Sequence, residues 1–120
     1  MTLEECYDAI GGNYSDVVNR FGKEQLVLKY IYKFLDDESY NLLVQSLDNK
    51  DFEEAFRMAH TLKGICQNLS LTRLYDSSSL LTEELRGKCG NNYLFYFNKL
   101  KSDYEEIIKI IRKFKKENSD

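Results

Sequence analysis

The chain of 120 residues carries 17 basic and 20 acidic side chains, for a formal net charge of −3, with no proline and a single histidine. One domain of that length closes its own core without disulfide or metal staples. The slightly acidic balance argues against nucleic acid or an anionic membrane surface as partner, since both need a basic field; the stretch from Lys109 to Lys116 is a local exception. No apolar run approaches the ~20 residues of a membrane span. Met1 to Ile10 carries acids where a secretory signal has positive charge and a long apolar stretch, so a soluble cytoplasmic protein is expected.

Leu3 to Ile10 reads as a short helix stopped by Gly11-Gly12. Ser15 is placed to cap a second short turn, Asp16 to Phe21, before Gly22. From Lys23 onward, Leu26, Val27, Tyr30, Ile31 and Phe34 follow the three-and-four spacing of an amphipathic helix, which Asp36 and Asp37 end while capping the next. That next helix runs from about Glu38 to Leu47, buries Tyr40, Leu43, Val44 and Leu47, and closes at the turn-forming Asp48-Asn49-Lys50. Asp51, with Glu54 three positions on, is a capping-box-like start for a helix predicted to reach about Leu69. Ser70 or Leu71 opens another, with Leu74, Ser78, Leu81 and Leu85 on one stripe and Gly87 as its stop. After the Gly- and Asn-rich loop Gly87 to Asn92, the last helix spans about Asn92 to Lys116. Its stripe is Leu94, Phe97, Leu100, Tyr104, Ile107, Ile108, Ile111 and Phe114.

Amphipathic helices joined by short loops cannot bury their stripes separately. The expected fold is therefore all-α, an up-and-down antiparallel four-helix bundle with one or two additional short N-terminal helices. It forms a single domain over 1–120, of which 1–13 and 117–120 are peripheral tails. Met1 and the short tails fit a free-standing protein, and a bundle that closes its own core is expected to be a monomer. Cys6, Cys66 and Cys89 have neither CxxC nor other metal spacing and are odd in number, so they read as reduced, mostly packed thiols, without a metal site.

On a helical wheel at ~100° per residue, Ala55, Met58, Leu62, Cys66 and Leu69 fall within roughly 40° of a direction about 200° from His60, with Ala59 and Ile65 beside them. His60 therefore points away from the core stripe. Its neighbours on the outer face are Glu53, Phe56, Arg57, Lys63, Gly64 and Gln67, one or two turns away. Gly64 sits mid-helix with no stop signal nearby, at a cost of about 0.5–1 kcal/mol relative to Ala; close approach by another backbone or a bulky group is the standard reason for such a residue. Phe56 is a large aromatic on the wet side, as in a docking patch. Lys63 would attract the oxygens of a phosphoryl group on the ring, and an imidazole with a free nitrogen lone pair is a competent nucleophile.

Other classes of function fit parts of this pattern. A structural or adaptor bundle that binds a partner without chemistry explains the amphipathic helices, though not why His60, Lys63 and Gly64 share one face. A bundle-type enzyme or metal carrier needs inward carboxylates or several histidines, which these stripes lack. No phosphate-binding glycine loop or second general base is present for nucleotide chemistry.

The run Ala59-His60-Thr61-Leu62-Lys63-Gly64, followed by Asn68-Leu69 and Leu74, resembles the signature of histidine-containing phosphotransfer (HPt) domains, and the helix order is similar to theirs over roughly Asp16 to Lys116. The resemblance implies a phosphoryl carrier of a multistep phosphorelay, not an enzyme and not an autokinase. His60 matches the phosphoacceptor, Lys63 the residue that steadies the phosphoryl oxygens, and Gly64 the small residue that admits the partner. Phe56, Arg57, Gly64 and Gln67 form the expected docking patch. The implied partners are response-regulator receiver domains and a hybrid sensor histidine kinase. The chain needs no cofactor of its own, since Mg²⁺ comes with the receiver. At Ser70 many members have Gly; here Ser is expected to cap the following helix instead.

Overall fold

Three of the helix starts are fixed by a side-chain cap. In the computed structural model, which describes residues 1–87 and 92–118, the elements are α1 Leu3–Ala9, α2 Tyr14–Phe21, α3 Glu24–Phe34, α4 Ser39–Asp48, α5 Phe52–Asn68, α6 Thr72–Leu85 and α7 Tyr93–Asn118. There is no strand among the described residues. Cys89, most of the Gly87 to Asn92 loop and residues 119–120 lie outside them. Thr2 and Glu5 start α1 with a reciprocal capping box, backbone N–H to side-chain oxygen in both directions at 3.1 and 2.7 Å. For α2 the cap is Asn13, whose Oδ1 accepts from the Asp16 amide at 3.0 Å, and not Ser15. Ser15 lies inside the first turn and donates its own hydroxyl to Asn13 at 3.2 Å. Asp37 accepts from the Ser39 amide at 2.8 Å ahead of α4.

Consecutive helices α4, α5, α6 and α7 are joined by short loops and pack side by side as an up-and-down bundle. The short α1 and α2 are the extra N-terminal helices. α3 and α4 share the length of α7 through aromatic contacts: Tyr32 meets Phe114 at 6.3 Å, Phe34 meets Tyr104 edge-on at 6.1 Å, and Tyr40 stacks on Tyr104 at 3.8 Å. Such pairs add about 0.5–1.5 kcal/mol each beyond burial. Val27, Ile31, Leu43, Leu62, Leu74, Leu81, Leu100, Ile107 and Ile111 form one continuous core. Residues 1–13 were expected at the periphery, yet Leu3, Cys6, Tyr7 and Ile10 are buried in that core.

Several stripe residues are less buried than the pattern predicts. Tyr30 is 38% exposed; its ring stacks on Phe21 at 5.3 Å, with the Lys29 and Lys33 ammonium groups over it at 5.6 and 5.4 Å. Leu94 is 56% exposed because it lies about 120° around the wheel from Leu100, off the face that meets the bundle. Leu26, Val44, Phe97 and Tyr104 are only half-buried. No described helix is long and apolar enough to cross a membrane.

Candidate functional site

The site is carried by α5, whose two ends are fixed by short-range chemistry. Lys50 takes a left-handed conformation (φ 56°) and brings Asp51 into the cap position, where its carboxylate accepts from the Glu54 amide at 3.2 Å. At the other end Ser70 also has positive φ (53°). Its amide bonds to Gln67 O at 3.2 Å and that of Leu71 to Cys66 O at 2.9 Å, the paired closure of a Schellman motif. Ser70 therefore does not cap α6 as expected. It fills the left-handed position itself, while its hydroxyl donates to Asp16 at 2.6 Å; no side chain caps α6.

Between these ends the helix buries Ala55, Ala59, Leu62 and Cys66, with Leu69 just past its end and Met58 and Ile65 half-buried. The stripe is centred slightly toward Ala59, and His60 is exposed on the opposite side. The Phe56 ring lies 6.0 Å from the imidazole, tilted by 30°. Lys63 leans toward α6, its ammonium 6.0 Å from the centroid of Tyr75, and no carboxylate among the described residues is within ion-pair distance of it. Over Gly64 the space is open: a Cβ built there would meet no atom within 4 Å. Arg57 pairs with Glu54 at 2.5 Å on the outer surface. Gln67 exposes its side chain, while its carbonyl accepts from Arg20 at 2.9 Å. Of the six sequence-derived positions, His60, Arg57 and Gln67 are exposed on the outer side of α5, Lys63 and Gly64 are half-buried at its flanks, and Phe56, expected on the wet side, is half-buried and packed against the core. Phe56 and Lys63 lie on the flank toward α6, Arg57 and Gly64 on the other.

α6 adds residues that the sequence did not single out. Arg86 stands 5.1 Å over the Phe56 ring and bonds Glu83 with both arms of its guanidinium. The bond from Arg86 holds the Glu83 carboxyl below the usual range, with Lys63 and His60 contributing from the facing helix. Tyr75, Glu83 and Arg86 recur at helical spacing beside the buried Leu74, Leu81 and Leu85. That spacing was visible; which edge of it meets α5 depends on how the helices cross.

The arrangement offers an accessible nitrogen nucleophile, an ammonium and a guanidinium on one flank, and uncovered backbone on the other. Among the described residues no group of His, Cys, Asp or Glu is arranged to hold a metal ion. Burial raises the Cys66 thiol and that of Cys6, so neither serves as a nucleophile here. The Hpt domain family model matches residues 37–107, which covers α4–α6 and much of α7. No curated protein and no solved structure matches the chain.

Proposed function

This chain belongs to the Hpt domain family, the phosphocarrier modules that work with receiver domains in phosphorelays, and from that premise we propose that His60 accepts a phosphoryl group from a receiver phosphoaspartate and passes it to a second receiver. In the transfer the exposed ring nitrogen attacks phosphorus in line. The P–O bond to the aspartyl carboxylate breaks as the N–P bond forms, and the other ring nitrogen keeps its proton. Such a reaction consists mostly of positioning and charge stabilisation, so the bundle has only to hold imidazole and ammonium in place. Lys63 steadies the phosphoryl oxygens. Phe56, Arg57, Gly64 and Gln67 meet the receiver, which brings its acidic pocket and Mg²⁺; the carrier needs no cofactor and does not phosphorylate itself from ATP.

The observation that carries this reading is the uncovered Gly64 one turn from an exposed His60. A mid-helix glycine costs stability, and nothing among the described residues crowds that position. The need for a missing side chain therefore lies outside the molecule, in something that approaches the helix closely. Incubating the protein with a phosphorylated receiver tests the reading. Label that is acid-labile and base-stable is expected on this chain, transferable to a second receiver and formed more slowly in Lys63→Ala. Receiver binding without label would make the protein an adaptor instead.

A further inference from the structure

Arg86 ends α6 beside the histidine face. Its Nε and Nη2 donate to the two carboxylate oxygens of Glu83 at 3.0 and 2.9 Å, and its guanidinium lies over the ring of Phe56 at 5.1 Å. That same ring is 6.0 Å from the imidazole of His60. The Phe56 ring thus adjoins both the guanidinium and the imidazole, and Glu83 lies within electrostatic reach of His60 and Lys63 as well as of Arg86.

We propose that Arg86 is a second ligand for a phosphoryl group on His60, held on Glu83 in the resting protein and exchanged onto the phosphoryl oxygens when His60 is modified. The inference rests on His60 being the phosphoacceptor. The resting pair joins residues three apart on one helix, with both side chains more than half exposed, a geometry that holds its partners weakly. A phosphoryl group brings about −1.5 to −2 charge and three acceptor oxygens. It repels the Glu83 carboxylate and offers the planar guanidinium a forked set of acceptors, which the point charge of Lys63 cannot match in the same way. Arginine keeps its contact with the Phe56 face while its polar edge turns from one anion to the other. Arg57 also pairs with a carboxylate on its own helix, Glu54, but lies on the flank away from Lys63 and α6, and it serves as the control.

The test uses the full chain and phosphoramidate, a small donor whose P–N bond breaks, with release of ammonia, as the imidazole N–P bond forms. The pH midpoint of the phosphoryl group is then read from its ³¹P resonance, with folding checked by circular dichroism. A guanidinium on the phosphoryl oxygens favours the dianion. Arg86→Ala is therefore expected to raise the midpoint by about 0.5 unit or more, roughly threefold in proton affinity. Glu83→Gln should lie at or below the parent, Arg86→Lys between parent and Arg86→Ala, and Arg57→Ala with the parent. Equal midpoints for parent and Arg86→Ala, or an equal rise in Arg57→Ala, would overturn the exchange while leaving His60 as acceptor. No phosphohistidine resonance in the parent would remove both.

Discussion

Gly64→Ala separates what the folded chain needs from what a docking partner needs. A Cβ at this position meets no atom within 4 Å, and the residue lies inside the helix Phe52–Asn68. The substitution loses no contact and forces no strain. The difference in helix propensity, about 0.8–1 kcal/mol, should therefore appear as added stability. For a chain of 120 residues that gain corresponds to about 3–6 °C in Tm. Function should move the other way. Transfer from a phosphorylated receiver slows in Gly64→Ala and is lost in Gly64→Trp, whose ring occupies the approach beside the imidazole. Thermal unfolding by circular dichroism and single-turnover transfer of label, run on the same three proteins, give both numbers. Melting of Gly64→Ala below the parent would mean that the bundle itself requires the glycine. Transfer by Gly64→Trp at the parental rate would mean that nothing approaches the helix there.

Gly12→Ala should behave in the opposite sense. Its Cβ would stand 2.6 Å from the ring of the buried Tyr7 and 3.0 Å from Ser70 O, and Tyr7 is tied to Leu69 O at 2.8 Å, so a loss of about 1–3 kcal/mol is expected in urea unfolding. Asp103, 1% exposed, accepts from Arg73 and Lys99 at 2.9 Å each, and Asp103→Ala should cost about 1.5–3 kcal/mol at neutral pH. Burial alone would raise this carboxyl, but the bonds from Lys99 and Arg73 hold it below its usual range. Its contribution is thus present above the unfolded-state pKa of about 4 and is lost as pH falls through the lower folded-state value. The stability gap between parent and Asp103→Ala, followed by unfolding across that window, should close in acid. Burial pushes the Cys6 thiol up to about 11 and raises Cys66 as well, so at pH 8 a thiol reagent should label these two only as fast as the chain opens.

The face of α5 was legible in the sequence because a helix of 17 residues samples its core direction repeatedly, so errors in single residues average out. Leu94 was misread at the start of a long helix, where a three-four pattern is easily carried one step past the face that meets the bundle. At α2, Asn13 and Ser15 are two caps within one turn of each other, and only the backbone path decides between them. Gly11-Gly12 read as a stop, but the pair does more. Gly11 O accepts from Arg73 N at 3.1 Å and Asn13 N donates to Ser70 O at 2.9 Å. The first corner of the chain is thereby docked onto the corner that ends α5. Contacts between residues that far apart leave no periodic trace, and the same holds for the Phe56–Arg86 stack across α5 and α6.

The most direct test of the account compares the parent with His60→Gln in one transfer reaction from a phosphorylated receiver, with helix content and Tm recorded for both. His60 is exposed and outside the core, so the variant should fold and melt like the parent. Acid-labile, base-stable label is expected on the parent and none on His60→Gln. Label on the variant, or an unlabelled parent beside a receiver that retains its phosphoryl group, would contradict it.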